Sequence, residues 1–165
     1  VWAKDQIVDL YNYLVWSGVE ICGWNINHFD IPVIINNAKK AGWNVLEIEH
    51  ETIQTFDMFA EIRKHTGRWY GLGVVSEATL GRSKLADGQL AAEWLRSDDA
   101  ADFQKAVEYC TSDVEIVRAL YRTLLDASPI VLPPRFERGE LNAINWWHYG
   151  GFERVPDATG AVSMK

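Results

Sequence analysis

The chain has 165 residues, of which 48% are hydrophobic, and its formal net charge is −7. This length suits one domain that buries a sizeable core. The acidic balance argues against a general polyanion-binding surface, although a site for divalent cations must itself be acidic. No apolar run approaches the roughly 18–20 residues of a membrane span, and no secretory signal is visible, so we expect a cytoplasmic protein.

The two cysteines, Cys22 and Cys110, are far apart in the chain and lie in apolar segments. This pattern predicts buried thiols in a reducing compartment rather than a disulfide framework. The sequence contains no CxxC pair and no Cys/His cluster with the spacing of a zinc site.

The first forty residues alternate between helical and extended patterns. Apolar residues at helical spacing predict a helix over 4–17. The run "VEICGWN" at 19–25 is typical of a strand that is buried on both faces. The segment "INHFD" at 26–30 predicts a turn, after which Pro32 suits the first turn of a helix that ends at Gly42.

The middle of the chain predicts shorter elements, separated by polar or Gly-rich loops. Extended pieces are expected around 45–49 and 52–57. Helices are expected over about 57–65, 74–81 and 90–97.

The strongest helical signal covers residues 98–126, where acidic residues near the start complement the helix dipole. Residues 129–165 have the composition of an exit segment with a loose end. We therefore expect a domain over 1–128 and a C-terminal extension or linker over 129–165. Helices that alternate with buried strands predict an α/β domain with a mixed sheet. The apolar stripe of the long helix is expected to contain Val114, Val117, Leu120, Tyr121, Leu124 and Leu125.

Two groups of residues have the composition of a hydrolytic site. Asn25 and the pair Phe29-Asp30 follow a buried strand and precede a helix, where sites form in open α/β sheets. Tyr109 and Asp113 are four residues apart on a helix and share one face. Separately, Asp30 suits a helix cap and Asp113 a solvated face. Together, two carboxylates and a phenol suit metal-assisted phosphodiester hydrolysis.

These residues form recognisable motifs. The pattern "N-x-x-x-F-D" ending at Asp30, followed about eighty residues later by "Y-x-x-x-D" from Tyr109, resembles the second and third motifs of the DEDD 3′–5′ exonucleases, tyrosine subgroup. This group includes ribonuclease D and the proofreading domains of DNA polymerases. The segment "ICGWNINHFDIPVI" is similar to the corresponding segment of the family-B-polymerase-like branch. The segment "LGVVSEATLG", with Lys84 just beyond it, is similar to the connecting helix and loop of the same group. The resemblance covers roughly residues 4–126.

The resemblance implies a ribonuclease H-like α/β fold, with a mixed sheet flanked by helices, and a 3′–5′ exonuclease that uses two Mg²⁺ or Mn²⁺ ions. It implies that Asp30 and Asp113 ligate metal and that Tyr109 positions the attacking water. The expected substrate is a single-stranded 3′ end of nucleic acid, DNA rather than RNA. A polymerase or helicase in the same longer chain is the candidate protein partner, and no membrane is expected. The candidates for substrate contact are Asn25, Phe29 and Lys84.

One motif of the family is not found in these residues. An Asp-x-Glu on the first strand would precede the helix at 4–17, where this chain starts, so we expect the first strands to be lacking. Glu47, Glu49 and Glu51 alternate on an extended piece, but they follow the second motif and so stand in the wrong order. Asp57 is similar to a non-catalytic Asp of the family's next strand.

Several alternatives stay open. The chain is a fragment of an active enzyme, or a catalytically inactive relative that binds nucleic acid or protein on the same fold. A third alternative is that the missing strand comes from another chain or segment. An unrelated α/β domain in which both motifs are coincidental is the remaining interpretation.

Overall fold

The computed structural model describes residues 4–45, 52–86 and 88–133, together with the strand segments 142–144, 154–156 and 162–164. The chain divides into two compact units, residues 1–69 and 70–165. We call them the N-terminal and the C-terminal unit. Both contain helices and short strands, as the sequence predicts for an α/β protein.

The N-terminal unit follows the predicted order of elements. The extended piece expected at 45–49 lies largely outside the described residues, as do Glu47, Glu49 and Glu51. The described elements are a 3₁₀ turn (Lys4–Gln6), α1 (Ile7–Trp16), β1 (Ile21–Gly23), α2 (Asp30–Lys40), β2 (Thr55–Asp57) and α3 (Met58–Thr66).

The core of this unit forms where α1 packs on α2. The buried residues of α1 recur three or four positions apart, as expected for one face of a helix. They confirm the predicted apolar stripe of the first helix. The buried cluster contains Tyr11, Leu14 and Val15 of α1, Ile35 and Ala38 of α2, and Ile53.

Strands β1 and β2 are parallel, with Gly23 opposite Asp57 in the register. Parallel strands end at the same edge of a sheet. The turn after β1 (residues 24–29) and the start of α3 therefore leave this edge side by side. This juxtaposition places the candidate residues of the N-terminal unit next to Asp57.

The C-terminal unit contains helices and antiparallel strand pairs. Strand β3 pairs with β4 and β5 pairs with β6. No helix that the structure describes is long and apolar enough to cross a membrane. The described elements are α4 (Leu72–Leu80), α5 (Gly88–Arg96), α6 (Ala100–Leu125), β3 (Ile130–Leu132), β4 (Asn142–Ile144), β5 (Arg154–Pro156) and β6 (Val162–Met164).

The buried face of α6 differs from the predicted stripe. Val114, which was expected on it, is 64% exposed, whereas Ile116 is buried. The buried side chains at 109, 116, 120 and 124 recur at intervals of four or seven residues, so they share one face. Asp113 belongs to this face, because it lies one turn after Tyr109 and three residues before Ile116.

Strand β3 is not predicted by the sequence pattern. Ile130 and Leu132 are fully buried. The hydroxyl of Thr79 on α4 donates to the Val131 carbonyl at 3.1 Å and accepts from the Val131 N–H at 3.0 Å. The segment after α6 is thus held to α4 by hydrogen bonds between the Thr79 side chain and the Val131 backbone, as well as by burial.

The two cysteines differ in their surroundings. Neither forms a disulfide within the described part of the chain. Cys22 is partly buried, but Cys110 is exposed, so the prediction that both thiols are buried is wrong for Cys110. It follows Tyr109 on α6 and points about 100° away from the buried face. Burial, with the nearby carboxylates of Glu20 and Asp57, raises the pKa of Cys22 to about 12.

We expect Cys22 to resist alkylation in the folded protein. At pH 8 its thiolate fraction falls about a thousandfold below that of a thiol with the ordinary pKa of 9.0. Iodoacetamide labelling followed by mass spectrometry of the Cys110→Ser and Cys22→Ser variants measures each thiol alone. Equal labelling rates in the native proteins would contradict the burial of Cys22, and equal rates in urea are the control.

Candidate active site

Three side chains meet in the C-terminal unit. The Lys84 ammonium lies 2.8 Å from Asp113 Oδ2 and donates to the Tyr109 hydroxyl at 2.6 Å. Tyr109 is buried, and the side chains of Lys84 and Asp113 are only 24% and 21% exposed. We call these three residues the KYD cluster.

The backbone between α4 and α5 positions Lys84. Gly81 ends α4 in the left-handed conformation, at φ 65°, which favours glycine. The buried Ser76 hydroxyl lies 2.9 Å from the Gly73 carbonyl oxygen and 2.7 Å from that of Arg82, so it holds the start of the loop. The stem of Lys84 lies against Gly73, where an added Cβ would be 3.2 Å from the Lys84 Cγ and Cδ atoms.

The electrostatics of the cluster favour a charged lysine and a protonated phenol. Burial disfavours the ammonium of Lys84, but hydrogen bonds and charge interactions with Asp113 and Tyr109 outweigh this effect, and the pKa of Lys84 is raised. Burial raises the pKa of Tyr109, the hydrogen bond from Lys84 opposes the shift, and Asp113 adds to it. At neutral pH Lys84 therefore carries a charged ammonium and Tyr109 a neutral hydroxyl.

Asp113 also has an unused acceptor. Its Oδ1 atom is buried and has no hydrogen-bond partner among the residues that the structure describes. A buried carboxylate oxygen without a donor is costly, so a missing donor or cation is the expected explanation. Hard oxygen ligands of this kind fit Mg²⁺ or Mn²⁺. Within the described residues, however, no three His, Cys, Asp or Glu side chains are grouped so that they could hold a metal ion.

The N-terminal unit carries the second group of candidates, on the turn between β1 and α2. Asn25 has a φ of 60°, in the left-handed region that non-glycine residues rarely adopt. Its side-chain Oδ1 is buried, and no described residue forms a hydrogen bond with it. Phe29 is 63% exposed, which is unusual for a large apolar side chain directly before a helix.

Asp30 is the first residue of α2, and Phe29 occupies the cap position with no side-chain cap bond. The interpretation of Asp30 as the helix cap is therefore wrong. Partial burial of its carboxylate raises the pKa of Asp30, its own backbone N–H opposes the shift, and the charge of Asp57 adds to it. The carboxylate thus bonds to the first N–H of the helix, its own, rather than capping from the residue before it.

An aromatic row lies beside this turn. The rings of Trp24 and Phe59 are 6.2 Å apart, and those of Phe59 and Trp69 are 5.0 Å apart. The guanidinium of Arg63 covers the Trp69 ring at 3.9 Å. Trp69 is half-exposed.

The structure therefore brings the sequence-predicted residues together in two groups. Tyr109, Asp113 and Lys84 are in direct contact in the C-terminal unit, and Asn25 lies on the same turn as Phe29-Asp30 in the N-terminal unit.

Two features are missed by the sequence. The bond between Lys84 and Asp113 joins residues far apart in the chain, and no spacing rule signals it. The second is the pair of hydrogen bonds that the Asp57 carboxylate accepts from the Asn25 and Asn27 N–H groups of the 24–29 turn. The position of Asp57 between a strand and a helix predicts only a helix cap.

A family model described as the RNase H superfamily matches residues 3–125 of the chain. No curated protein and no solved structure matches the chain. The match covers both groups of candidate residues and confirms the ribonuclease H-like α/β fold predicted from the sequence.

The Lys84–Asp113 ion pair should contribute to stability. We expect Lys84→Met to lower the free energy of unfolding by about 1–3 kcal/mol, because it leaves a largely buried carboxylate without its cation. Urea unfolding of Lys84→Met, Asp113→Asn and the double variant gives the coupling between the two residues.

The matched control is Lys105→Met, since Lys105 also pairs with an aspartate, Asp102, but on the exposed surface of α6. We expect no measurable change there. Equal effects of Lys84→Met and Lys105→Met would show that the ion pair of the KYD cluster adds no stability.

Proposed function

Because the chain belongs to the RNase H superfamily, we propose that it is a nuclease, and more finely a 3′–5′ exonuclease of the DEDD tyrosine subgroup. Membership of the superfamily supports nuclease-type hydrolysis of nucleic acid. The observation that carries the finer proposal is the KYD cluster, in which a phenol and a carboxylate with an unused oxygen face one centre.

Asp113 and Asp30 are the proposed metal ligands, for two Mg²⁺ or Mn²⁺ ions. The Oδ1 of Asp113, which has no partner among the described residues, supports this role, and so does the position of Asp30 at the first residue of α2, directly after the turn. A bound divalent cation would polarise the phosphate and help to deprotonate the attacking water. The ammonium of Lys84 holds the other Asp113 oxygen and limits the rotation of that carboxylate.

Tyr109 is the proposed water-positioning residue. Its raised pKa keeps the hydroxyl protonated at neutral pH, and Lys84 donates to the hydroxyl oxygen. The hydroxyl proton is donated to Asp113 in this structure, and in the proposed reaction it turns to the attacking water. The water oxygen then bonds to phosphorus while the P–O3′ bond breaks. The leaving O3′ keeps the electron pair and takes up a proton, and a nucleoside 5′-monophosphate is released.

Substrate contacts are proposed for Phe29, Asn25 and Lys84. The exposed Phe29 ring suits stacking on the terminal base, and Lys84 suits contact with a phosphate. Asn25 has an unpartnered amide oxygen for a substrate donor. We propose a single-stranded 3′ end as substrate, DNA rather than RNA, in a protein that also carries a polymerase or helicase.

A second candidate function is a catalytically inactive module that binds nucleic acid or protein. One observation favours it: Lys84 already compensates the charge of Asp113, and the described residues hold no group of three potential metal ligands. On this alternative the KYD cluster is a structural ion pair, and neither carboxylate acts in hydrolysis.

We expect Asp113→Asn to lower hydrolysis of a 3′-labelled single strand with Mg²⁺ by a factor on the order of a thousand or more. The amide retains the shape of the carboxylate but lacks its charge. The measurement is single-turnover hydrolysis in the complete protein, with the free energy of unfolding determined in parallel.

Asp102→Asn is the control, because Asp102 lies on the same helix in an exposed ion pair. It should hydrolyse at the wild-type rate. Survival of activity in Asp113→Asn would reject the assignment. A wild-type protein that binds the oligonucleotide but never cleaves it would favour the inactive module.

A further inference from the structure

The carboxylate of Asp57 is the most heavily bonded buried acid that the structure describes. Asp57 is only 3% exposed. Its Oδ1 accepts from the N–H groups of Phe59 at 3.1 Å and Ala60 at 3.3 Å, which caps α3. The same oxygen accepts from the Asn25 N–H at 2.8 Å, and Oδ2 accepts from the Asn27 N–H at 3.1 Å.

The four donor N–H groups belong to two different elements, the 24–29 turn and α3. A helix cap needs one side-chain oxygen, and Oδ1 supplies it. The bond from the Asn27 N–H to Oδ2 adds nothing to the cap. The second oxygen serves only the 24–29 turn, so Asp57 does more than begin α3.

The turn that Asp57 holds is one that the backbone would not readily adopt alone. Asn25 is in the left-handed region, which disfavours residues with a Cβ. The entry to the turn is also crowded, because a Cβ at Gly23 would overlap the side chain of Ile26. External hydrogen bonds to the turn amides offset this local cost.

The turn in turn fixes the start of α2. The Phe29 N–H donates to the Asn25 carbonyl at 3.1 Å, and the Ile31 N–H donates to the Ile26 carbonyl at 2.9 Å. Asp30 lies between these two amides. Its backbone is therefore connected to Asp57 through the turn, with one hydrogen bond on either side.

We infer that Asp57 is a positioning residue for the hydrolytic site. It holds the 24–29 turn so that Asn25, Phe29 and Asp30 face the substrate in a fixed geometry. This inference rests on the proposed function, and it assigns to Asp57 a role that acts through the backbone rather than through contact with substrate or metal.

The variant that separates the two roles is Asp57→Asn in the full chain. The amide oxygen of asparagine can occupy the Oδ1 position and keep the α3 cap. Its NH₂ group then faces the Asn27 N–H, so two donors meet where a bond existed. We expect the turn to loosen while α3 remains capped.

Two measurements test the inference. Amide hydrogen exchange should accelerate at least tenfold at Asn27, Phe29 and Ile31, and by less than threefold at Phe59 and Ala60. With a 3′-labelled oligonucleotide and Mg²⁺, kcat should fall at least tenfold while KM changes by less than threefold, because orientation is lost rather than the binding surface.

The matched control is Asp99→Asn. Asp99 caps α6 through one oxygen, which accepts from the Ala101 N–H at 2.8 Å, so the substitution retains a cap of the same kind. We expect kcat within twofold of the wild type. An Asp57→Asn protein with wild-type kcat, or with exchange accelerated equally in the turn and in α3, overturns the inference.

The exchange measurement also separates this inference from the proposed function. If the wild-type protein cleaves no nucleic acid, the exchangeable amides of the turn still report whether Asp57 holds it. Unchanged exchange at Asn27, Phe29 and Ile31 would reject the positioning role whatever the activity.

Discussion

The N-terminal unit depends on one buried carboxylate. Asp57 ends β2 opposite Gly23 and accepts four backbone N–H groups from two segments. An ionised acid can be buried at low cost only when donors surround it, and backbone amides are the donors that a parallel strand pair brings to its carboxyl edge. The strand pairing, the capped helix and the turn therefore each depend on the other two.

The C-terminal unit solves a related problem with a cation. Asp113 lies on the buried face of α6, and Lys84 crosses from the loop after α4 to neutralise it. Here the compensation is incomplete, since Oδ1 stays without a partner. A carboxylate whose two oxygens both have hydrogen-bond donors serves to hold the structure. A carboxylate with a buried oxygen that no described residue bonds can still accept a further donor or bind a cation. This difference is why Asp113, rather than Asp57, is the better candidate for chemistry.

The sequence predicted the parts of this arrangement that depend on local geometry. Helical spacing alone puts Tyr109 and Asp113 on one face, and an extended run before "NINHFD" is enough to predict the turn. The strand itself, Ile21–Gly23, is shorter than the predicted 19–25 and only partly buried. The prediction of the apolar stripe on α6 was partly wrong. A helix with many apolar residues can bury more than one face, and in the folded protein Ile116 is buried whereas Val114 is exposed. The three-residue strand β3 is too short for a period to be visible.

The long-range contacts could not be predicted for a physical reason. The bonds from Asp57 to Asn25 and Asn27 depend on the register of β1 against β2, and the bond from Lys84 to Asp113 depends on how the loop after α4 crosses α6. Both are fixed by tertiary packing and not by residue spacing. The resemblance to a family singled out Asp30 and Asp113 as candidate ligands, which stays a prediction, and it could supply neither the counter-ion nor the anchor.

The pair of bonds between Thr79 and Val131 has a mechanical consequence. A single hydroxyl takes the place of a neighbouring strand, since it both donates to and accepts from the same residue. Strand β3 pairs with β4 and is also held to α4 through Thr79. A load on β3 would therefore reach α4, the helix that precedes Lys84, directly and not only through the chain that joins β3 to α6.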